Sequence, residues 1–410
     1  MSSTKPYGAL PSTATGTIEP FEIHIEDQKL HDFQQLLRLS PVAQPSFENQ
    51  SARQSEGRNF GISREWLLNA KKEWLEAFDW RKEEAHLNSF AQFKGAIQDD
   101  DGRTHELHFA ALFSKKAGAV PIVRSHGWPC TFAEFLPVIE LLQAKYTPET
   151  LPYHIIMPSL PGYTFSPAPP LDKDWTMADS ARLTHKLMLQ LGFGTGYIVQ
   201  GGDIGSAVSR TMAATYPECK AMHLNYCQMG EPEGMEGMEF TDAEKKGLKR
   251  YNEFNTTGTG YGLMHGTRPS TIGHVLASSP LALLSWIGEK YLSWSDPEFP
   301  ITLNTILREV SLYWFTECFA TSIYPYREDF GRGQKAKGYF HGQAELYVDK
   351  PFGYSSFPYE LGVMPRKWVE TTGRLVWCRV HEKGGHFPAL ERDEVLLGDL
   401  ESFIGDVWKE

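Results

Sequence analysis

The pattern of hydrophobic and polar positions changes its rhythm twice along the chain. From about residue 106, short apolar runs alternate with amphipathic stretches. This predicts strands at Glu106–Ser114, Val120–Arg124, His154–Met157 and Tyr197–Gln200, with helices over 131–145 and 177–191. Such alternation builds βαβ units around a parallel sheet. Between about 231 and 345 it stops, and a Gly/Met/Glu-rich loop at 230–239 leads into mostly helical, amphipathic segments. A strand pattern returns at Leu375–Val380, and a helical run, Glu391–Ile404, closes the chain. Upstream, Phe21–Ile25 alternates like a strand, Leu30, Phe33, Leu36 and Leu37 share one helical face, and the helical run 64–80 carries Trp66, Trp74 and Trp80. These upstream apolar faces are too narrow for a core of their own.

The expected organisation is therefore an N-terminal arm (1–105) packed on an α/β core (106–230 and 346–410) that is interrupted by a helical cap (231–345). A length of 410 residues suits one large domain with such attachments. Aromatics at 13%, with 11 Trp, are enough to line an apolar pocket as well as a core. A net charge of −11 argues against nucleic acid or an anionic membrane as the main partner. The five cysteines are an odd number, spread out and without a C-x-x-C pair, which fits a reducing compartment. Met1–Glu19 lacks an apolar signal core, and no run approaches the roughly 18 apolar residues of a membrane span. A soluble, cytosolic protein is the expectation. No internal repeat is present.

The sharpest motif is Tyr197-Ile-Val-Gln-Gly-Gly-Asp203-Ile204-Gly205-Ser206-Ala207. An apolar strand runs into small-x-Asp-x-small and then a helix start, the pattern of a nucleophile elbow with Asp in place of the more familiar Ser. An Asp before a helix is by itself most often an N-cap, but the flanking glycines and the strand change those odds. The helix that follows directs its free N–H groups at the site and favours a carboxylate there. A carboxylate can attack a saturated carbon and leave an ester for a second step to hydrolyse. The motif thus implies an α/β-hydrolase fold and a substrate with an electrophilic sp³ carbon.

Upstream, Val123-Arg-Ser-His126-Gly-Trp128-Pro129 is a strand ending in a tight loop. This fold draws one oxyanion N–H from such a loop and another from the residue after the nucleophile, which makes Trp128 and Ile204 the candidates. Downstream lies His381-Glu-Lys-Gly-Gly-His386-Phe387. Its histidines are five apart around a Gly-Gly pair, which excludes the helical H-E-x-x-H zinc motif. His386, after the last strand, is the candidate base. The acid lies before it in chain order, with Glu360 the candidate and Asp349 and Glu370 as competitors. No metal-ligand cluster or cofactor motif is present in the sequence, and none is required.

Together these residues resemble the microsomal-type epoxide hydrolases, particularly their soluble fungal members. The resemblance rests on His126-Gly-Trp-Pro129, Gly201-Gly-Asp-Ile-Gly-Ser206, Phe357-Pro-Tyr-Glu360 and Gly384-Gly-His-Phe387. It also covers Gly260-Tyr261 with His265-Gly-Thr-Arg-Pro269, and Tyr324-Pro-Tyr326-Arg-Glu328, running from about residue 20 to the C-terminus. It implies that Glu360 orients His386 and that two cap tyrosines, Tyr261 and Tyr326, grip the epoxide oxygen. Tyr313 and Tyr324 are close alternatives to Tyr326. The implied partners are a small-molecule epoxide and water, with no nucleic acid and no membrane span; a homodimer is compatible with this. Two other readings compete. A haloalkane or haloacid dehalogenase also uses an Asp nucleophile, but haloalkane dehalogenases commonly have Trp where Ile204 stands. A catalytically dead hydrolase fold serving as a binding protein would not need every one of these motifs.

Overall fold

The computed structural model describes residues 5–51, 60–330 and 341–409; parts of the expected arm (1–4, 52–59) and cap (331–340), and residue 410, lie outside the described residues. Among the described residues, nine strands form a single sheet: β1 (Ile18–Pro20), β2 (Ala91–Gln98), β3 (Thr104–Leu112), β4 (Val120–Ser125), β5 (Tyr153–Pro158), β6 (Tyr197–Gly201), β7 (Cys219–Leu224), β8 (Val348–Ser356) and β9 (Gly373–Val380). Their spatial order is β1-β2-β3-β5-β4-β6-β7-β8-β9. The first pairings, β1·β2, β2·β3 and β3·β5, are antiparallel, and β5·β4 through β8·β9 are parallel. Central β6 is buried at every position because helices cover both faces of a parallel sheet, which explains its unbroken apolar run.

Between β7 and β8 the described residues leave the sheet and form helices but no strand, from Asp242–Glu253 through Pro280–Trp294 and Leu303–Thr316 to Tyr326–Phe330. The first of these is started by a capping box in which Thr241 and Glu244 satisfy each other's backbone N–H groups. Among the described residues, no single helix is long and apolar enough to cross a membrane.

Several expectations need correction. Phe21–Ile25 is not a strand: Ile23 and Ile25 are buried and His24 is exposed, as in a strand. However, their N–H groups bond to Asn88 Oδ1 (2.8 Å) and Glu84 Oε1 (2.7 Å) instead of to a neighbouring strand. Of the face Leu30, Phe33, Leu36, Leu37, Leu36 stays exposed. The helix expected over 131–145 starts as a 3₁₀ turn at Phe132–Phe135 and becomes α-helical at Leu136–Lys145. The closing helix is broken at Arg392 into Pro388–Glu391 and Asp393–Val407. Strands β2, β7 and β8 had no clear signal, because β7 and β8 mix in Lys, His, Asp, Pro and Gly. One of those polar groups is met from the neighbouring strand, where His223 Nε2 on β7 meets the Ser355 hydroxyl on β8 at 3.1 Å. The β2–β3 hairpin also spans residue 105, so the end of the arm segment is woven into the core sheet.

Candidate active site

Asp203 sits where β6 turns into the helix Asp203–Thr215, with a left-handed φ of +44°. That conformation costs an Asp on the order of 1–3 kcal/mol and persists only where its surroundings enforce it. Here they do. A Cβ on Gly205 would lie 1.9 Å from the Ser125 carbonyl oxygen, and one on Gly201 2.3 Å from the Gly205 oxygen. Strand, turn and helix therefore cross at a separation that only glycine permits.

The loop after β4 approaches the carboxylate from the other side. The Trp128 N–H donates to Asp203 Oδ1 at 2.8 Å, so the expected oxyanion donor already holds one carboxylate oxygen. His126 braces the loop by accepting the Leu160 N–H at Nε2 (3.1 Å), and burial lowers its pKa to about 4, keeping it neutral. Ile204 lines the same cavity as Asp203. The remaining oxygen, Oδ2, faces His386 Nε2 at 3.4 Å. On its far side, His386 Nδ1 meets Glu360 Oε1 at 2.5 Å, and that oxygen also accepts the Leu361 N–H at 2.6 Å. Glu360 and His386 are both buried. Burial works against a charged imidazole, but Glu360 and Asp203 outweigh it and raise the pKa of His386 to about 10. The competing acids lie elsewhere: Asp349 is exposed, and Glu370 pairs with Arg366 at 2.8 Å. His381 is tied to Asp399 at 2.6 Å.

Facing Asp203, Tyr261 and Tyr326 come from two different cap helices, with ring centroids 5.6 Å apart. Burial raises both pKa values, and the Asp203 charge raises them further, so both groups hold their protons. Tyr261 stacks on Trp128 at 5.2 Å, while Tyr326 meets the same indole edge-on at 5.8 Å. Of the alternatives, the Tyr324 hydroxyl is engaged with Ser180 at 2.7 Å, and Tyr313 packs near Tyr163. Neither lines the cavity of about 220 Å³ that Asp203, Ile204, Tyr261 and Tyr326 share.

Some residues at the site had no signal in the sequence. Tyr226 meets the His386 ring edge-on at 5.7 Å, and its hydroxyl donates to Gln228. The ammonium of buried Lys290 lies 4.5 Å from the Tyr261 ring centroid and pairs with Glu289 at 2.6 Å. Lone residues on helices and loops, they carry no pattern that separates them from packing.

This is the site of an α/β-hydrolase-fold enzyme with a carboxylate at its elbow. A family model described as epoxide hydrolase N terminus matches residues 18–135, and one described as alpha/beta hydrolase fold matches 120–257. A Dothistroma septosporum relative is 45% identical over 398 residues, covering 97% of this chain and 92% of its own. Epoxide hydrolase 1 of Oryctolagus cuniculus is 31% identical, covering 96% of this chain and 90% of its own. The solved structure of Aspergillus niger epoxide hydrolase matches with a TM-score of 0.91 at 50% identity, over 98% of this chain and 100% of that one. Juvenile hormone epoxide hydrolase from the silkworm Bombyx mori matches with a TM-score of 0.83 at 26% identity, over 98% of both chains. The chain belongs to the epoxide hydrolase family. These relatives favour that reading over a dehalogenase or an inactive hydrolase fold.

Proposed function

We propose that this enzyme converts lipophilic epoxides to vicinal diols through a covalent ester on Asp203. The observation that carries the reading is the position of the Asp203 carboxylate, between the His386–Glu360 pair and the cavity that holds Tyr261 and Tyr326. Phe254, Phe330, Ile204 and Leu361 line that cavity and suit an apolar substituent.

In the first step Asp203 Oδ2 bonds to a ring carbon, the strained C–O bond breaks, and the freed oxygen takes a phenolic proton from the tyrosine pair. Esterification removes one of the two negative charges that hold the proton on His386. His386 gives that proton up, the phenol regains one, and the imidazole becomes a neutral base. In the second step it deprotonates the water that attacks the ester, with Glu360 orienting the ring and stabilising its cation. Side chains supply every role in this scheme.

Replacing His386 by Gln should spare the first step and block the second. Intact-mass analysis of that variant with a reactive epoxide should show one adduct, mapping to the peptide that carries Asp203. A single turnover of the wild type in ¹⁸O-water should give unlabelled diol, because the new hydroxyl oxygen comes from the carboxylate. Labelled diol in that turnover, with no adduct on the variant, would remove Asp203 from the nucleophile role.

A further inference from the structure

Two cavities meet at Asp203, which lines both. The larger opens on its Ile204–Ala207 side and holds both tyrosines. The smaller, of about 20 Å³, lies on its Gly127–Gly202 side and is lined by His386, Trp128, Glu134, Cys130 and Asn225. Neither tyrosine lines the small chamber, and none of those five residues lines the large one. The carboxylate therefore stands as a partition, with the groups suited to opening a ring on one side and the base on the other.

The small chamber is of the size that admits one water molecule and no epoxide, and it has the polar walls a buried water needs. Glu134 enters it from the 3₁₀ turn Phe132–Phe135, and Cys130 lines the same chamber. Asn225 spends its carbonyl oxygen on Gln200 Nε2 at 3.0 Å, which lays its amide nitrogen against Gly202, beside the elbow. His386 Nε2, 3.4 Å from Asp203 Oδ2, completes the wall.

We propose that this chamber is the seat of the hydrolytic water and that Glu134 holds that water against the Asp203 ester for His386 to deprotonate. The inference rests on the reading of Asp203 as nucleophile. The water oxygen bonds to the ester carbon and one of its protons passes to His386 Nε2. The bond from that carbon to Oδ2 breaks, and Oδ2, which leaves on the substrate, takes that proton from His386 to complete the diol. The water oxygen stays in the carboxylate and its second proton passes to His386, so the resting ion pair is restored. Burial raises the Glu134 carboxyl to about 8, so in the resting enzyme it is a neutral group able both to donate to a water and to accept from it. Ester and water then meet from opposite sides, and the first step needs no water in the substrate cavity.

Two variants probe the chamber without altering His386 or Asp203. Glu134→Gln removes the carboxyl but keeps its shape, and Ala389→Val narrows the chamber from its apolar wall, where Ala389 is buried. Rapid-quench measurement with a reactive epoxide separates alkylation from ester hydrolysis. Each variant should alkylate within about twofold of the wild type and hydrolyse the ester at least about tenfold more slowly, so that the adduct on Asp203 accumulates in the steady state. Hydrolysis at the wild-type rate in both variants would overturn the proposal. So would an equal fall in both rate constants, which marks a structural role. Either variant alone decides the matter if the other does not fold. An adduct missing even from His386→Gln would instead strike at the nucleophile itself, which keeps the two failures apart.

Discussion

A phenol whose pKa lies above its ordinary value keeps its proton until a stronger base than phenolate comes within reach, and an epoxide oxygen becomes one as its ring opens. Tyr261 and Tyr326 are both in that condition. Replacing either by Phe should slow alkylation by a factor of roughly 10 to 1,000, the range for losing one oxyanion donor. The double variant should be nearly inert yet folded. Stopped-flow tryptophan fluorescence can follow this, because Trp128 stacks on Tyr261; wild-type alkylation in the double variant would dismiss the assignment. His386 supports a second prediction. Its pKa rises from 6.5 to about 10 on folding, so its stabilising ion pair is complete below the unfolded value and is lost as pH climbs through the folded one. Between those two pH values the wild-type melting temperature should fall, and that of His386→Gln should fall less. Parallel slopes would show that His386 does not carry the effect.

At the scale of single elements, the passage from β6 into the helix Asp203–Thr215 is where backbone crowding is greatest. Gly205→Ala would force a Cβ against the Ser125 carbonyl oxygen, and neither the β4 loop nor the helix can yield without moving Asp203. We expect that substitution to cost more than ~3 kcal/mol, read as lost soluble yield or a lowered urea midpoint. Gly398, inside the helix Asp393–Val407, offers the control. A Cβ there meets nothing within 4 Å, so Gly398→Ala should be neutral or stabilise by up to ~1 kcal/mol. A Gly205→Ala protein as stable as the Gly398→Ala one would refute the elbow argument.

Across the whole molecule, the arm joins the cap helices to the core. Phe33 from the arm meets Phe315 of the helix Leu303–Thr316 at 5.2 Å and Trp74, also from the arm, at 5.0 Å, and Trp80 adds a contact to Phe315 at 4.8 Å. The Trp74 indole N–H donates to Ser311 at 3.2 Å. From the same helix, buried Glu309 accepts the Thr131 N–H at 3.1 Å, just after the loop that presents Trp128. Arm, cap and the Trp128 loop are thus linked through one helix. Trp74→Ala should cost ~3–5 kcal/mol, the usual range for emptying a buried aromatic site. It should shift one cooperative urea transition seen alike by fluorescence and circular dichroism. Two separated transitions would mean that the arm unfolds by itself.

Much of this was legible in the linear chain because it depends on local rules. A strand buried on both faces must be continuously apolar, a strained elbow needs small residues at fixed offsets, and a loop base needs glycines beside it. Those rules mark β4, β5, β6, Asp203, His386 and the Trp128 loop. Other features depend on groups far apart in sequence. The alternation at Phe21–Ile25 reads as a strand until Asn88 and Glu84 take its N–H groups, and polar β7 and β8 become strands by pairing in the sheet, where His223 meets Ser355. Composition cannot separate Glu360 from Asp349 or Glu370, or Tyr326 from Tyr324; a 2.5 Å contact to His386 and a bond from Tyr324 to Ser180 do. The division of the site into two chambers about one carboxylate has no linear signature at all. It arises where the β4 loop, the elbow and the last helices converge, and the space left between packed elements is a property of the tertiary fold alone.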